Sequence, residues 1–109
     1  MKKQNNKKRV LSREEILLKG KPLPDADVYI TSLDGCIKMQ NVGFSQLVAI
    51  KRESQSPDDY NLSLVAAVCK DLTRPDVEKL QENPAVFAEI FQAVEKYLGG
   101  GFSDDEIKN

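Results

Sequence analysis

Three features of the sequence predict an α+β fold, an N-terminal β-hairpin packed on a mostly α-helical C-terminal part of four or so helices. Asp27 to Leu33 alternates β-prone side chains and runs into Asp34-Gly35, a dipeptide favoured in two-residue hairpin turns. From Phe44 onward the apolar residues switch to helical spacing. Thr73 and Asn83, each followed closely by a proline, then read as helix N-caps.

The elements follow in order. Ser12-Arg13-Glu14-Glu15 fits a capping box, which starts a short helix whose apolar contact comes from Ile16, Leu17 and Leu18. Lys19-Gly20-Lys21-Pro22 ends it, and Pro22-Leu23-Pro24 is an extended linker. The strand from Asp27 to Leu33 turns at Asp34-Gly35 and returns over Cys36 to Val42. Counting outward from a type I′ turn pairs Leu33 with Cys36, Ser32 with Ile37, Thr31 with Lys38 and Ile30 with Met39. Val28, Ile30, Ile37 and Met39 then share one apolar face, which a lone hairpin cannot cover. It must pack on the helices that follow or join a larger sheet through another subunit.

Phe44, Leu47, Val48 and Ile50 mark a short amphipathic helix ending in the polar run from Glu53 to Pro57. Asp58 or Asp59 caps the next helix, whose apolar residues Leu64, Val65, Val68, Cys69 and Leu72 make it the most buried of the domain. Thr73 opens a two-turn helix around Val77 and Leu80, with Asp76 at its N3 position. Asn83-Pro84 opens the longest amphipathic segment. It carries Val86, Phe87, Ile90, Phe91, Val94, Tyr97 and Leu98 inward and Glu89, Gln92, Glu95 and Lys96 outward. Gly99-Gly100-Gly101 stops it, and it follows a helix without a Lys-Ser/Thr partner, so it is a C-cap and hinge rather than a phosphate-binding loop. The organisation is a disordered basic arm over 1–10, one α+β domain over 11–98 and a hinged C-terminal tail over 99–109.

Composition narrows the function. The 109 residues leave room for one modest core, and the longest apolar run, Leu64 to Cys69, is far short of the ~20 residues of a membrane span. The basic N-terminus leads into Ser-Arg-Glu-Glu rather than an apolar stretch, so the expected address is the cytoplasm. With no histidine, the commonest general base and neutral metal ligand is missing. Cys36 and Cys69 lack CxxC spacing and read as two buried, reduced thiols. Asp58-Asp59 and Asp104-Asp105 point about 100° apart on a helix and suit N-terminal turns rather than a metal. Ser12, Ser63 and Ser103 have no histidine to activate them. The reading is therefore of a protein that is not an enzyme, with no catalytic, cofactor or metal residues.

Charge is polarised along the chain. Residues 1 to 21 hold eight basic and two acidic residues, a net of +6, and residues 22 to 109 hold eight basic and fifteen acidic, a net of −7. A basic arm can neutralise nucleic-acid phosphates, but no aromatic residue is interleaved among its lysines and the acidic domain would repel a duplex. A solvated tail, or an arm that folds against an acidic surface, fits the pattern better. The tail offers Phe102 and Ile107 as apolar contacts for an amphipathic helix of a partner. The unpaired hairpin edge offers strand addition between copies.

The opening Leu11-Ser-Arg-Glu-Glu-Ile-Leu, the strand Val28 to Gly35, and Leu64 to Cys69 followed by Thr73 to Leu80 and Asn83 to Phe91 together resemble the tail assembly chaperones of long-tailed bacteriophages and prophages, of the XkdN-like type. The resemblance spans residues 11 to 107 and rests on element order and apolar pattern. It implies a small, non-enzymatic protein of the bacterial host cytoplasm that binds the tape measure protein. That partner's long, aggregation-prone helices would be held soluble until tail tube subunits assemble around them. Two other classes stay open from the residues alone: a nucleic-acid-binding regulator using residues 1 to 9, and a generic protein-binding adaptor.

Overall fold

The computed structural model describes residues 9–99. Its elements are helix α1 (Arg13–Lys19), strand β1 (Ala26–Ile30), a 3-10 turn (Thr31–Leu33), strand β2 (Gly35–Met39), and helices α2 (Phe44–Glu53), α3 (Pro57–Val68), α4 (Arg74–Leu80) and α5 (Pro84–Leu98). This is broadly the α+β class the sequence predicts, with one two-stranded antiparallel sheet and five helices among the described residues, one of the helices preceding the hairpin. Residues 1–8 of the expected basic arm and 100–109 of the expected tail, including Phe102 and Ile107, lie outside the described residues.

The apolar face of the hairpin packs on the helices. Val28, Ile30 and Met39 are buried in one core with Leu64, Val65, Val68, Cys69, Val77, Ile90 and Val94. Helix α5 lies against β1 and the 3-10 turn, and α3 lies against α2, α4 and α5. No polar or charged residue is buried among the described residues, so hydrophobic burial dominates this core.

The hairpin register differs from the sequence expectation. Ala26 faces Met39, Val28 faces Ile37 and Ile30 faces Gly35, and Thr31 to Asp34 form the connection in place of Asp34-Gly35. Each residue's partner has moved by four positions, an even number, so every side chain keeps its face. The cause is Glu89, expected to point to solvent. Its carboxylate accepts hydrogen bonds from the backbone N–H of Thr31 at 2.6 Å and of Ser32 at 3.0 Å. With those two donors held by α5, β1 stops at Ile30 and the chain turns early. Asp34 closes the turn with φ 51°, and its carboxylate accepts from the Tyr29 hydroxyl at 2.8 Å. Asp is one of the few residues that tolerate this left-handed backbone.

Beyond Met39 the sheet is extended by main-chain bonds to the end of α3. The Gln40 N–H donates to the Val68 carbonyl and the Lys70 N–H to the Lys38 carbonyl, each at 2.9 Å. Helix α3 accordingly ends at Val68 rather than running to Leu72, because Cys69 is taken into a bridge with Met39. The β2 edge that the sequence left open for strand addition is partly occupied by this segment.

Helix starts follow local chemistry. Ser12 and Thr73 both complete capping boxes, with Glu15 and Asp76 reaching back to the cap N–H groups. Asn83 caps α5 with Pro84 in the first turn, and Gly99 ends it. Helix α3 is capped by Ser56, with Pro57 at its first position, instead of by Asp58 or Asp59. Both aspartates instead sit in the first turn, where the exposed N–H groups favour negative charge.

Three packing expectations are corrected. Phe44 is 80% exposed at the start of α2, which anchors to the core through Leu47 further along the helix. Cys36 lies at the surface of β2, and only Cys69 is buried. Ile16, Leu17 and Leu18 touch no core: α1 has no buried residue, although its capping box and its glycine end form as expected.

Candidate apolar groove and the uncovered helix

A groove of 230 Å³ opens between the hairpin and α4. Leu33 stands at the turn end, Ile37 projects from β2, Leu72 comes from the segment after α3, and Leu80 closes the far side from α4. Ile90, fully buried, forms the floor. Leu72 and Leu80 also border an open shelf of 510 Å³ that runs on past Asp76 and Lys79. Together they form an apolar trough with charged residues at its rim, the composition of a surface that takes the apolar face of a helix.

The register described above creates this trough. Because Glu89 pulls the turn down onto α5, Leu33 leaves the strand and stands 46% exposed at the groove wall. Hydrogen bonding from the Ser32 side chain, and from the Ser32 and Thr31 N–H groups, holds the Glu89 carboxyl below the usual glutamate range, so the anchor is ionised at neutral pH. At the rim, Lys38 pairs with Asp27 at 2.9 Å, and that carboxylate raises the ammonium's pKa and keeps it charged. Asp71 beside it forms no ion pair among the described residues.

A second concavity of 360 Å³ lies between the end of α2 and the start of α3, around Lys51, Gln55 and Tyr60. Its polar groups already serve the turn: the Ser54 hydroxyl donates to the Ile50 carbonyl at 2.6 Å, and the Gln55 N–H donates to Asp59 at 2.9 Å. Arg74 braces that turn from behind. It pairs with Asp59 at 2.7 Å and donates to the Ser63 hydroxyl at 2.7 Å, while its Nε lies 3.0 Å from Glu78 but off the line of a hydrogen bond. Burial and hydrogen bonding there hold structure together, and the apolar trough is the better candidate for a partner.

The second unusual feature is α1. Ile16, Leu17 and Leu18 are 53%, 58% and 66% exposed, and Val10 and Leu11 beside them are exposed as well. Successive helical residues are about 100° apart, so three apolar side chains in a row cover about 200° of the circumference. The helix is held by local bonds alone. Ser12 and Glu15 exchange their capping bonds at 3.2 Å and 2.9 Å, and Arg9 pairs with Glu15 at 2.9 Å. A helix of seven residues is marginal without tertiary contact.

Its linker is pinned at the far end. The Tyr97 hydroxyl donates to the Pro24 carbonyl at 2.7 Å, and Lys70 pairs with Asp25 at 3.2 Å. Pro22 and Pro24 stiffen the few residues that remain between this anchor and Lys19.

No group of three or more metal-ligating side chains lies together among the described residues, and no described helix is long and apolar enough to cross a membrane. Phe87 and Phe91, read from the sequence as core aromatics, stack at 6.3 Å on α5 and pack against the core. The trough was not foreseen from the sequence. Comparison of the chain with protein-family models, with curated proteins and with solved structures finds no match.

Proposed function

We propose that this protein is a non-enzymatic tail assembly chaperone that binds helical segments of a phage tape measure protein in the host cytoplasm and keeps them soluble until the tail tube assembles. The observation that carries the reading is the apolar trough lined by Leu33, Ile37, Leu72 and Leu80, with Lys38, Asp71, Asp76 and Lys79 along its rim. A trough of this kind suits the apolar face of an amphipathic helix and offers both charge signs to its polar flanks. A binder of one repeated apolar stripe needs no catalytic group. The order of elements quoted above, from Leu11 to Phe91, supports the choice of client.

The test is coexpression with a phage tape measure protein, the long helical protein this reading assigns as client. Its soluble yield should rise with the intact chain and fall back with Leu33→Asp, which places a charge on the groove wall at an exposed position. A pull-down with this chain as bait should recover the same protein. Unchanged solubility of the long helical protein, together with recovery of only nucleic acid or an unrelated enzyme, would end this reading.

A further inference from the structure

We infer that α1 is an exchange arm: in the absence of a client it docks in the apolar trough of a second copy of this chain. Two features on one molecule are complementary, and neither is covered by the rest of its own fold. One is a helix with Leu17 and Leu18 more than half exposed, and the other is an open trough with Leu33 at its wall. The core closes without α1, which has no buried residue.

Charge favours the pairing. Residues 1 to 21 carry a net +6 and residues 22 to 109 a net −7, so each arm is attracted to the body of another copy. Arg13 and Lys19 of the arm form no ion pair among the described residues, and neither does Asp71 at the groove mouth. The stiff linker favours exchange over folding back. Pro24 is tied to Tyr97 on the domain, and two prolines precede the first strand, so the arm is held out from the surface it starts from.

Docking would cover the exposed side chains of Leu17 and Leu18 on each arm together with Leu33 at each groove wall, and two arms seated reciprocally double that burial. A reciprocal exchange closes on itself as a two-fold dimer. On the chaperone reading, the second copy's arm shields the trough until a client displaces it. The dimer itself rests only on α1 and the trough.

Sedimentation and light scattering of the full chain over a micromolar concentration series test this without any client. The expected result is a mass twice the 12.2 kDa of one chain, decreasing on dilution and with added salt. The arm double variant Leu17→Glu, Leu18→Glu and the groove variant Leu33→Asp should each be monomeric with unchanged circular dichroism. Mixed together they should form a heterodimer, because one retains its groove and the other its arm. A monomeric full chain, a dimer that survives both variants, or a mixture that stays monomeric would overturn the inference. None of those results bears on whether the long helical protein is bound, so this proposal and the chaperone reading can fail separately.

Discussion

Replacing Leu17 and Leu18 with alanine should leave the domain's own stability almost unchanged, whereas Ile90→Ala should remove about a third of it. All three substitutions remove a large aliphatic side chain, so only the environment differs. Ile90 is fully buried against the hairpin and α4, and truncation there leaves a cavity as well as losing transfer energy, about 2–5 kcal/mol in total. Against the 5–15 kcal/mol typical of a small domain, and at roughly 4–8 °C for each kcal/mol, the melting temperature should fall by on the order of 10–40 °C. Leu17 and Leu18 make no buried contact, and alanine is at least as good a helix former, so the cost should stay within about 0.5 kcal/mol. Urea unfolding followed by circular dichroism at low micromolar protein reads the monomer. At high concentration the unsubstituted chain should gain stability that the alanine pair lacks, since association adds to folding. A loss above about 1 kcal/mol for the alanine pair at low concentration would show that α1 is packed on its own domain, and the exchange argument would collapse.

Further expectations follow from individual groups. The carboxyls of Glu89, Asp76, Asp59 and Glu15 are all held below their usual range by hydrogen bonds to the charged form. Their contribution is therefore present above pH ~4.5 and lost as pH falls through the lowered values, and melts between neutral and acid pH should show this slope, reduced in Glu89→Gln. Burial pushes the Cys69 thiol up to about 12, so a thiol reagent at mild alkaline pH should label only Cys36 in the native protein and both cysteines in denaturant. That same burial makes stability fall as pH climbs above the ordinary thiol range, and two native labels would mean that the core around Cys69 opens. Tyr97→Phe should cost about 1 kcal/mol by removing the bond to the Pro24 carbonyl, and hydrogen exchange should quicken around the linker if that bond is what pins it.

Much of the fold is legible because it is local. Ser12, Thr73 and Asn83 announce helix starts through bonds made within three residues, and Val86, Ile90, Val94 and Tyr97 mark the inner face of α5 by spacing alone. The hairpin's faces are legible for the same reason, since alternation assigns sides whatever the register. Its register is not, because that depends on Glu89, 57 residues from Ser32 in sequence. An acidic residue at an outward helical position carries no mark of a distant turn that needs two N–H acceptors. Phe44 shows the converse: it keeps the helical spacing of a core residue, yet it lies at the start of α2, where no neighbouring element reaches it. The candidate site was legible only as chemistry. The lack of histidine steered the reading toward a binding surface, while the trough needs Leu33, Ile37, Leu72 and Leu80 to be brought together from four segments.

Helix α1 shows why an apolar pattern alone does not say what it is for. Ile16, Leu17 and Leu18 read from sequence as a packing face, and the inference that they want cover is sound; what sequence leaves unspecified is whose surface supplies it. In this chain the domain completes its core from the hairpin and the four later helices, and Tyr97 and Lys70 tie the linker down just before β1. Those ties separate the arm from the cooperative unit, so substitutions on it can change association without changing folding. A groove lined by aliphatic side chains beside an aliphatic helix on a stiff tether is then a matched pair within one sequence. Because both halves are present on every copy, a docked arm and a helix of the proposed client would compete for one apolar surface. If the proposed client binds there, raising the concentration of this chain should therefore weaken its apparent binding in the intact chain but not in the Leu17→Glu, Leu18→Glu variant.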